Sequence, residues 1–406
     1  MSWVQQFNTF CFLDNHQYQL HPHTQECMLA AGVRRFVKAS AGTALQQLQQ
    51  TLDAQPGWFF GHLAYDLHSE TEGTVSVLPD RLGFPDLYFF EPEILIRLSP
   101  GELIITADSP SAVWQQIAGM PAHNAAPLQP VSFESRMSRQ QYLDTIENLQ
   151  RYILRGDCYE INFCQEFFAA DTRIDPLQVY EQLSQVSPNP FSALYRLGDK
   201  WLICASPERF LKKEGRRLLS QPIKGTSPRV QYDQELDSRN KGDLYHSAKD
   251  RSENVMVVDL VRNDMSKVCS EGSVKVDELY GIYSFPQVHQ MISTISGEVA
   301  DGQNFSSILR ATFPMGSMTG APKRRVIQLI DQYETQRRGL FSGAVGYMTP
   351  EGDFDFNVVI RSILYNDTTR YVSFPTGSGI TYYSQPQAEW EECQLKAAAI
   401  KQIFSR

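Results

Sequence analysis

A lysine, Lys224, lies in a stretch whose sequence predicts a rigid backbone. It follows Pro222 and Ile223, precedes a Gly-Thr pair, and is followed further on by Pro228. The prolines fix their own φ angles and disfavour helix at the residues before them, so we predict a strand end that runs into a turn. A lysine held there, out of bulk water, can lose its proton and act as a nucleophile. Taken alone, such a lysine is more often a solvent-exposed loop residue.

Carboxylates form a second group of candidates. Glu389, Glu392 and Lys396 have the spacing i, i+3 and i+7, which places them on one face of a predicted C-terminal helix. Glu253 lies in another predicted helix, and Glu208 follows a proline at a predicted strand end. Each of these charges, taken alone, is more often a solvated surface group, so the spacing does not by itself predict a site.

The composition is that of a globular protein with a large core. Of the 406 residues, 42% are hydrophobic and 20% are charged. The formal charge of −9 argues against nucleic acid or an anionic membrane as a partner. The seven cysteines contain no Cys-x-x-Cys pair, which argues against a zinc site or a disulfide framework and favours a cytoplasmic location. Neither a signal peptide nor a membrane-spanning apolar stretch is predicted.

The elements that must position these side chains are predicted from periodicity. Short β-like runs and turn clusters fill residues 1–130, while helices and strands without regular alternation fill residues 131–406. We therefore predict an α+β fold with large antiparallel sheets flanked by helices. The proline- and alanine-rich segment 121–130 is predicted as a linker, although both parts are expected to form one intertwined unit. Ser138 and Gly156 are predicted to bound the clearest helix.

Several stretches, in their order and spacing, resemble the chorismate-utilising enzymes. Those stretches are residues 205–210, 220–229, 253–264, 288–289, 316–323, 377–380 and 389–396. The family includes the large subunit of anthranilate synthase, component I of aminodeoxychorismate synthase, isochorismate synthase and salicylate synthase. The resemblance covers roughly residues 135–405. It implies an anthranilate synthase component I-like fold in which region 131–406 binds chorismate and carries out the catalysis.

The residue at position 224 separates two branches of this family. Lys224 within Pro-Ile-Lys-Gly-Thr is similar to aminodeoxychorismate synthase component I, whereas the anthranilate branch usually has alanine there. The resemblance implies that Lys224 adds at C2 of chorismate as the C4 hydroxyl leaves, and that ammonia then attacks C4 and expels the lysine. It implies Glu208 as general acid and base at the C4 hydroxyl, a role that needs a raised pKa. The product would be 4-amino-4-deoxychorismate, on the route to p-aminobenzoate and folate.

The resemblance also implies a metal and a partner. It pairs Glu253 with Glu392 around one Mg²⁺ and places Glu389 beside them. Mg²⁺ suits hard oxygen ligands and completes its coordination with substrate and water. In this interpretation the metal binds the ring carboxylate of chorismate and helps the ring lose its leaving group. The sequence has no Gly-x-Cys-x-Gly nucleophile turn, so a separate glutamine amidotransferase subunit, or the solution, is expected to supply ammonia.

Further residues are implied as substrate contacts. Arg361, in a predicted strand, would clamp the enolpyruvyl carboxylate with Tyr347 as its helper, although an arginine there is equally expected as a structural partner. His289 is implied near the substrate, but it is equally expected as a satisfied core histidine. The remaining implied contacts are Thr226, Thr319, Gly320, Gly377, Ser378, Gly379 and Lys396. Thr319 and Gly320 would offer donors to an anion at a helix N-terminus.

Two alternatives to this function stay open. Anthranilate synthase component I is disfavoured by Lys224. An inactive subunit that binds chorismate or an amino acid would require a loss among Glu208, Lys224, Glu253 and Glu392, and all four are present. Water-adding relatives have a lysine on the strand after the first helix, whereas residues 159–162 of this chain contain none, which counts against isochorismate and salicylate synthase. Aminodeoxychorismate synthases more often have glutamine where this chain has Glu160. The polarity of the substrate wall at Glu160 therefore departs from the family pattern.

Overall fold

Two large β-sheets with helices around them form the protein. The computed structural model describes residues 1–18, 27–99, 101–121 and 128–405. The strand pairings found there are antiparallel, for example β1 (Thr9–Asp14) with β10 (Phe191–Leu197). This architecture confirms the predicted α+β class with large antiparallel sheets.

Each sheet is an ordered series of strands, which carry numbers in chain order. In spatial order, sheet A comprises β17 (Gly320–Ala321), β9 (Glu160–Ala169), β21 (Tyr371–Ile380), β20 (Ser362–Asn366), β11 (Lys200–Ser206), β10, β1, β2 (Cys27–Ala31), β6 (Ile94–Ser99) and β7 (Glu102–Thr106), with β8 (Glu134–Ser135) beside β9. Sheet B comprises β14 (Ile223–Pro228), β16 (Val288–Glu298), β13 (Arg217–Gln221), β12 (Arg209–Glu214), β19 (Phe354–Val358), β18 (Ala344–Met348), β4 (Phe59–Leu63), β5 (Leu87–Glu91) and β3 (Arg35–Ala39), with β15 (Lys275–Ser284) beside β16.

The helices differ in length and in how much of each is buried. They are α1 (Ala44–Ala54), α2 (His68–Thr71), α3 (Pro110–Ala118), α4 (Arg139–Arg155), α5 (Pro176–Val186), α6 (Gln234–His246), α7 (Ala248–Ser266), α8 (Phe305–Thr312), α9 (Lys323–Tyr333) and α10 (Pro386–Lys401). Within the described ranges, none of these helices combines the length and the apolar character needed to cross a bilayer.

Sheet A is covered on both faces, as successive residues of its strands show. Phe10 and Cys11 are neighbours in β1, and both are fully buried. Phe10 packs into a core that it shares with helices α4, α5, α9 and α10, whereas Cys11 packs into a core that it shares with sheet B. Because successive strand residues point to opposite faces, sheet A lies between sheet B and this helical layer.

Strands from the two predicted parts of the chain share both sheets. In sheet A, β1 pairs with β10, and in sheet B, β4 pairs with β18. Residues 122–127 of the predicted linker lie outside the described ranges. The N-terminal strands therefore extend the same two sheets that carry the predicted site residues.

The clearest predicted helix is confirmed, including its ends. Ser138 caps α4 through a capping box with Gln141, in which each side chain bonds the other residue's backbone. Gly156 ends the helix with a φ of 87°, a left-handed conformation that favours glycine. Tyr142, Ile146 and Leu149 form the buried apolar stripe of this helix.

One predicted strand is divided between the sheets. The sequence predicts a continuous strand over residues 354–365, but β19 ends at Val358 in sheet B and β20 begins at Ser362 in sheet A. The chain crosses between the two sheets at Val359–Arg361, and Arg361 has a φ of +50°. The prediction that Arg361 lies within a strand is therefore wrong, because the residue stands at the crossover.

Candidate active site

The site begins where the two sheets meet. Lys224 in β14 of sheet B reaches Glu160, the first residue of β9 in sheet A, with 2.5 Å between Nζ and Oε1. The Lys224 side chain is 10% exposed and that of Glu160 is 2% exposed. The prediction that the strand ends at the lysine is wrong, because β14 continues past Lys224 to Pro228. The pairing of β14 with β16 shifts register between Ile223 and Thr226, where Gly225 has a φ of 90°.

The charge of Lys224 is set by three carboxylates. Burial disfavours the ammonium form, but Glu160, Glu253 and Glu208 outweigh it and raise the pKa of Lys224 above its ordinary value. The amine is therefore protonated at neutral pH in the free protein. The sequence predicts an amine that can lose its proton, and this nucleophilic role of Lys224 stays a prediction.

Glu208 lies between β11 and β12 with a 4% exposed side chain. Burial raises the pKa of Glu208 to about 7, although hydrogen bonds from the Ser317 side chain and the Ile223 backbone, and the charges of Lys224 and Arg361, favour its ionised form. Its carbonyl oxygen accepts a hydrogen bond from the Val358 amide at 3.0 Å, which ties the residue to β19. A carboxyl group that titrates near neutral pH suits general acid–base catalysis.

Arg361, at the crossover between the sheets, is close enough to Glu208 for the two charges to interact. Burial lowers the pKa of the Arg361 guanidinium from its ordinary value, and the charge of Glu208 counters this effect. The backbone carbonyl of Arg361 accepts a hydrogen bond from the Ala205 amide at 3.2 Å. A left-handed φ at a non-glycine residue is strained, and such strain occurs where a side chain must be aimed at a site.

The acidic residues predicted as metal ligands lie on α7 and α10 around a lysine. Lys249 Nζ is 3.9 Å from Glu253 Oε1 and also 3.9 Å from Glu389 Oε1. Burial raises the pKa of Glu253 to about 7, Lys224 and Lys249 lower it, and Glu160 adds to the rise. The carboxylates therefore face one another across a space that holds one ammonium group.

Glu392 differs from these two acids because its side chain is 42% exposed. Lys396, one turn further along α10, lies 2.7 Å from its Oε1 and also donates to the carbonyl oxygen of Gly377 at 2.8 Å. Burial opposes its charge, but Lys396, Lys249 and Lys224 outweigh burial and lower the pKa of Glu392. The predicted common face of this helix is therefore an ion-paired face beside the site.

The acids on α7 and α10 offer oxygen donors that a hard cation could use. Among the residues that the structure describes, no group of three or more His, Cys, Asp or Glu side chains is arranged to hold a metal ion. However, Glu253 Oε1 and Glu389 Oε2 are buried and have no hydrogen-bond partner within the described ranges. Mg²⁺ commonly binds through one or two carboxylates and keeps several waters. These acids fit such a cation, and the predicted magnesium site stays a prediction.

The glycine-rich strand β21 forms the wall beside the ion pair. Gly377, Ser378 and Gly379 lie opposite residues 164, 163 and 162 of β9, respectively. A Cβ atom at position 379 would lie 2.5 Å from Glu160 Oε1 and 3.0 Å from Lys224 Nζ. Glycine at 379 is therefore what allows the lysine and the glutamate to meet.

Tyr347 lies in a buried ring cluster of sheet B. Its ring centroid is 5.9 Å from that of Trp58 and 5.9 Å from that of Phe60. The side chain is 7% exposed and belongs to the apolar core. Its predicted role beside Arg361 stays a prediction.

His289 is a satisfied core histidine, the alternative that its sequence context left open. Its Nδ1 pairs with Ser284 Oγ at 2.8 Å and its Nε2 with Asp237 Oδ1 at 3.2 Å. Burial lowers the pKa of His289, while Asp237 raises it. With both ring nitrogens occupied, the histidine connects β16 to helix α6.

In the loop before α9, the hydrogen-bond donors of Thr319 bond to carbonyl groups of the same loop. The Thr319 hydroxyl donates to the Met315 carbonyl at 3.1 Å, and the Thr319 amide donates to the Gly316 carbonyl at 3.2 Å. Gly320 pairs with β9 as part of β17. Both Thr319 donors are therefore used within the loop in the free protein, and the expected contact of Thr319 with a substrate anion stays a prediction. Thr226, another predicted contact, is exposed on β14.

Three contacts around the site were not predicted from the sequence. Ser317 hydrogen-bonds Glu208, Lys249 stands between two carboxylates, and Glu160 is the partner of Lys224. Lys249 precedes Glu253 by one helical turn, a spacing that predicts contact. No local pattern predicts the other two contacts, because each joins segments far apart in the chain.

The sequence of this chain matches a known protein family and several characterised relatives. Residues 6–402 match the family described as chorismate binding enzyme. The chain belongs to this family. It is 35% identical over 364 residues to aminodeoxychorismate synthase component 1 of Escherichia coli (strain K12), across 86% of this chain and 80% of that relative. It is 33% identical over 360 residues to anthranilate synthase component 1 of Thermus thermophilus, across 85% of this chain and 76% of that relative.

The fold of this chorismate-binding enzyme is also known from solved structures. Anthranilate synthase component I from Streptococcus pneumoniae TIGR4 matches it with a TM-score of 0.84 at 24% sequence identity, over 93% of this chain and 92% of that chain. The match confirms the predicted anthranilate synthase component I-like architecture. Because the similar proteins include both named activities, the choice between them depends on the residues of the site.

Proposed function

We propose that this protein is component I of an aminodeoxychorismate synthase, which converts chorismate and ammonia to 4-amino-4-deoxychorismate for p-aminobenzoate and folate synthesis. The observation that supports this choice is the buried amine of Lys224, with Glu208 close enough for its charge to act on that amine. An alanine at position 224, usual in the anthranilate branch, has no nucleophile to offer at C2.

Each side chain of the site has a separate role in the proposed reaction. Arg361 binds the enolpyruvyl carboxylate through its planar guanidinium. Lys224, once neutral, attacks C2 of chorismate, the ring double bonds shift, and the C4–O bond breaks as Glu208 gives its proton to the leaving oxygen. Ammonia then attacks C4, the C2–N bond breaks and the Lys224 amine is released. The new C4 ammonium returns a proton to Glu208.

The acids on α7 and α10 complete the proposed site. Glu253 and Glu392, with Glu389 beside them, would hold Mg²⁺, and the unpartnered buried oxygens of Glu253 and Glu389 support this assignment. When bound, the ion would neutralise the ring carboxylate of chorismate. Lys249, which now faces both Glu253 and Glu389, would give up that position to the ion.

Ammonia is proposed to come from a glutamine amidotransferase subunit. The name "component 1" of the Escherichia coli relative supports a second component. The chain itself lacks the nucleophile turn of such an amidotransferase. Ammonium in solution should replace the partner in a test of the isolated protein.

Anthranilate synthase component I is the second candidate. The 33% identity to the Thermus thermophilus anthranilate synthase component 1 favours it. The two candidates differ in the carbon that finally carries nitrogen, C4 or C2, so product identity separates them.

The deciding experiment is product identification by liquid chromatography and mass spectrometry. The protein is incubated with chorismate, ammonium and Mg²⁺, beside Lys224→Ala and a control, Lys212→Ala, which removes a lysine paired with Glu214 on β12. We expect aminodeoxychorismate from the parent and the control, and a sharp loss in Lys224→Ala. Anthranilate from the parent would contradict the proposal and assign the tryptophan branch. Binding of chorismate without turnover would favour an inactive binding subunit.

A further inference from the structure

The contact between Glu160 and Lys224 is unusually close and dry. Nζ and Oε1 are 2.5 Å apart, and the two side chains are 10% exposed for Lys224 and 2% exposed for Glu160. Hydrogen bonds between ionised groups are short and strong when water is excluded. Because one residue belongs to sheet A and the other to sheet B, the pair also joins the two sheets at the site.

The backbone around Glu160 is held by the neighbouring strand β17. Glu160 lies opposite Ala321, and the Tyr159 amide donates to the Ala321 carbonyl at 2.8 Å. Gly320, with a φ of +143°, approaches so closely that a Cβ there would lie 2.0 Å from the Glu160 carbonyl oxygen. The carboxylate therefore starts from a fixed backbone position and reaches the lysine without a flexible loop.

The second oxygen of Glu160 is free to act. Oε2 is buried and has no hydrogen-bond partner among the residues that the structure describes. A buried carboxylate oxygen without a partner costs free energy, and a proton on this oxygen would lower that cost. Gly379 provides the room that this carboxylate and the amine need.

The charged groups around Lys224 come from several elements. Glu160 of β9, Glu253 of α7 and Glu208 act on the amine, and Lys224 in turn acts on Glu392 of α10. These carboxylates keep the amine protonated, yet the nucleophile must be neutral. Within the described part of the chain, the Glu160 carboxylate is the hydrogen-bond partner found for Nζ.

We propose that Glu160 positions the Lys224 amine and accepts its proton just before the lysine attacks the substrate. This inference rests on the proposed function, in which Lys224 is the nucleophile. The proton moves from Nζ to the Glu160 carboxylate, and the freed electron pair forms the N–C2 bond. When ammonia expels the lysine from C2, the amine leaves neutral and takes its proton back from Glu160. No external base is required, and Glu208 handles the separate proton at C4.

The test combines two measurements on the full-length protein. Glu160→Gln keeps the shape and a hydrogen-bond acceptor but cannot take a proton, and Glu160→Asp keeps the acid. Aminodeoxychorismate formation is measured across pH with ammonium as nitrogen donor. Separately, reductive methylation of Lys224 is followed across pH by peptide mass spectrometry, which needs no turnover. Lys212, exposed to the same reagent and paired with Glu214, is the internal control.

We expect kcat of Glu160→Gln to fall about 10²-fold, the usual contribution of a positioned proton acceptor, with partial recovery in Glu160→Asp. The methylation midpoint of Lys224 should move to lower pH in Glu160→Gln, while that of Lys212 stays unchanged. A midpoint that does not move would overturn the inference. A midpoint that moves while kcat and its pH profile are unchanged would also overturn it, because the amide would then serve as well as the carboxylate.

The proposed function fails differently. If the parent protein forms no aminodeoxychorismate, that function is contradicted whatever Glu160 does. The methylation midpoints would then still decide whether Glu160 controls the charge of Lys224. If the parent forms the product, both measurements apply to the proton transfer itself.

Discussion

The two ends of the paired sheets are built from different kinds of buried residue. Where β9 and β14 meet, the buried groups are charged, as in Glu160, Lys224 and Glu208. Where β4 and β5 meet, the buried groups are aromatic, and Phe60 and Phe89 have no exposed surface. Buried rings stabilise the fold through apolar area and ring contacts, whereas buried charges cost stability unless they are paired. Charged groups with proposed catalytic roles are therefore buried at one end of the paired sheets, and apolar rings are buried at the other.

The variant Lys224→Arg tests the charged end most directly. Arginine keeps a cation beside Glu160, but it does not lose its proton in proteins and so offers no nucleophile. We expect aminodeoxychorismate formation to fall about 10³-fold with little change in the thermal unfolding midpoint, measured by product assay and calorimetry. Lys212→Arg, on β12, is the matched control. Substantial activity in Lys224→Arg would exclude the lysine as nucleophile.

The opposite result is expected at the aromatic end. Phe89→Ala removes a fully buried ring and should lower the free energy of unfolding by about 3–5 kcal/mol, measured by denaturant titration. The kcat of the folded fraction should be unchanged. Phe36→Ala, at a ring that is 57% exposed on β3, should change stability by about 0.5 kcal/mol or less. A loss of kcat in Phe89→Ala would show that the two ends are coupled.

Removal of the proposed Mg²⁺ should affect the charged end alone. Chelation of Mg²⁺ should lower aminodeoxychorismate formation by about 10²-fold, because several kcal/mol of charge stabilisation are lost. Glu253→Gln should weaken Mn²⁺ binding, measured by electron paramagnetic resonance. Glu391→Gln, at an exposed acid on α10, should leave binding unchanged. Equal Mn²⁺ affinity in both variants would remove Glu253 from the ligand set.

The pH dependence should report on Glu208. Its pKa of about 7 is raised by burial, and the acid must be protonated to release the C4 oxygen. We therefore expect kcat/KM for chorismate, at constant free ammonia, to fall about tenfold per unit above pH 7. Glu208→Gln should have a low kcat/KM that does not show this decrease above pH 7. Because the raised pKa belongs to the folded state, the stability that Glu208 contributes should also be lost as the pH rises through 7.

The smallest effect is expected at the exposed pair on α10. Lys396 is 47% exposed and pairs with Glu392 at 2.7 Å. Lys396→Met should change the free energy of unfolding by less than about 1 kcal/mol, because exposed ion pairs contribute little. Denaturant titration checks this. A change as large as that of Phe89→Ala would mean that this pair is part of the structural framework.

Helices with a buried stripe and clear ends could be predicted from the sequence. The ends of α4 followed from Ser138 and Gly156, and the predicted C-terminal helix is present as α10, which begins at Pro386. Helix α6 was not predicted, because Leu244 is the one buried residue along its length and therefore no apolar stripe repeats. The pairing order of the strands depends on contacts between distant segments, which local periodicity does not encode.

The identities of the site residues could be proposed from the sequence, but their contacts could not. The residues of the Lys224–Glu160 pair lie 64 positions apart and in different sheets. Arg361 was expected in a strand because its neighbours are β-branched and apolar, a pattern that does not mark where a chain leaves one sheet for another. The residue types thus indicated the chemistry, while the folded chain determined which of them act on one another.

Gly379 restricts the order in which this site could have evolved. A lineage that replaced this glycine first would push Glu160 away from Lys224 at once, since a Cβ atom would contact both. A lineage that first shortened the side chain at position 160 would open space, and position 379 could vary afterwards. A substitution at position 379 is therefore expected to be tolerated better together with a smaller side chain at position 160, so the effects of changes at these positions should not be additive.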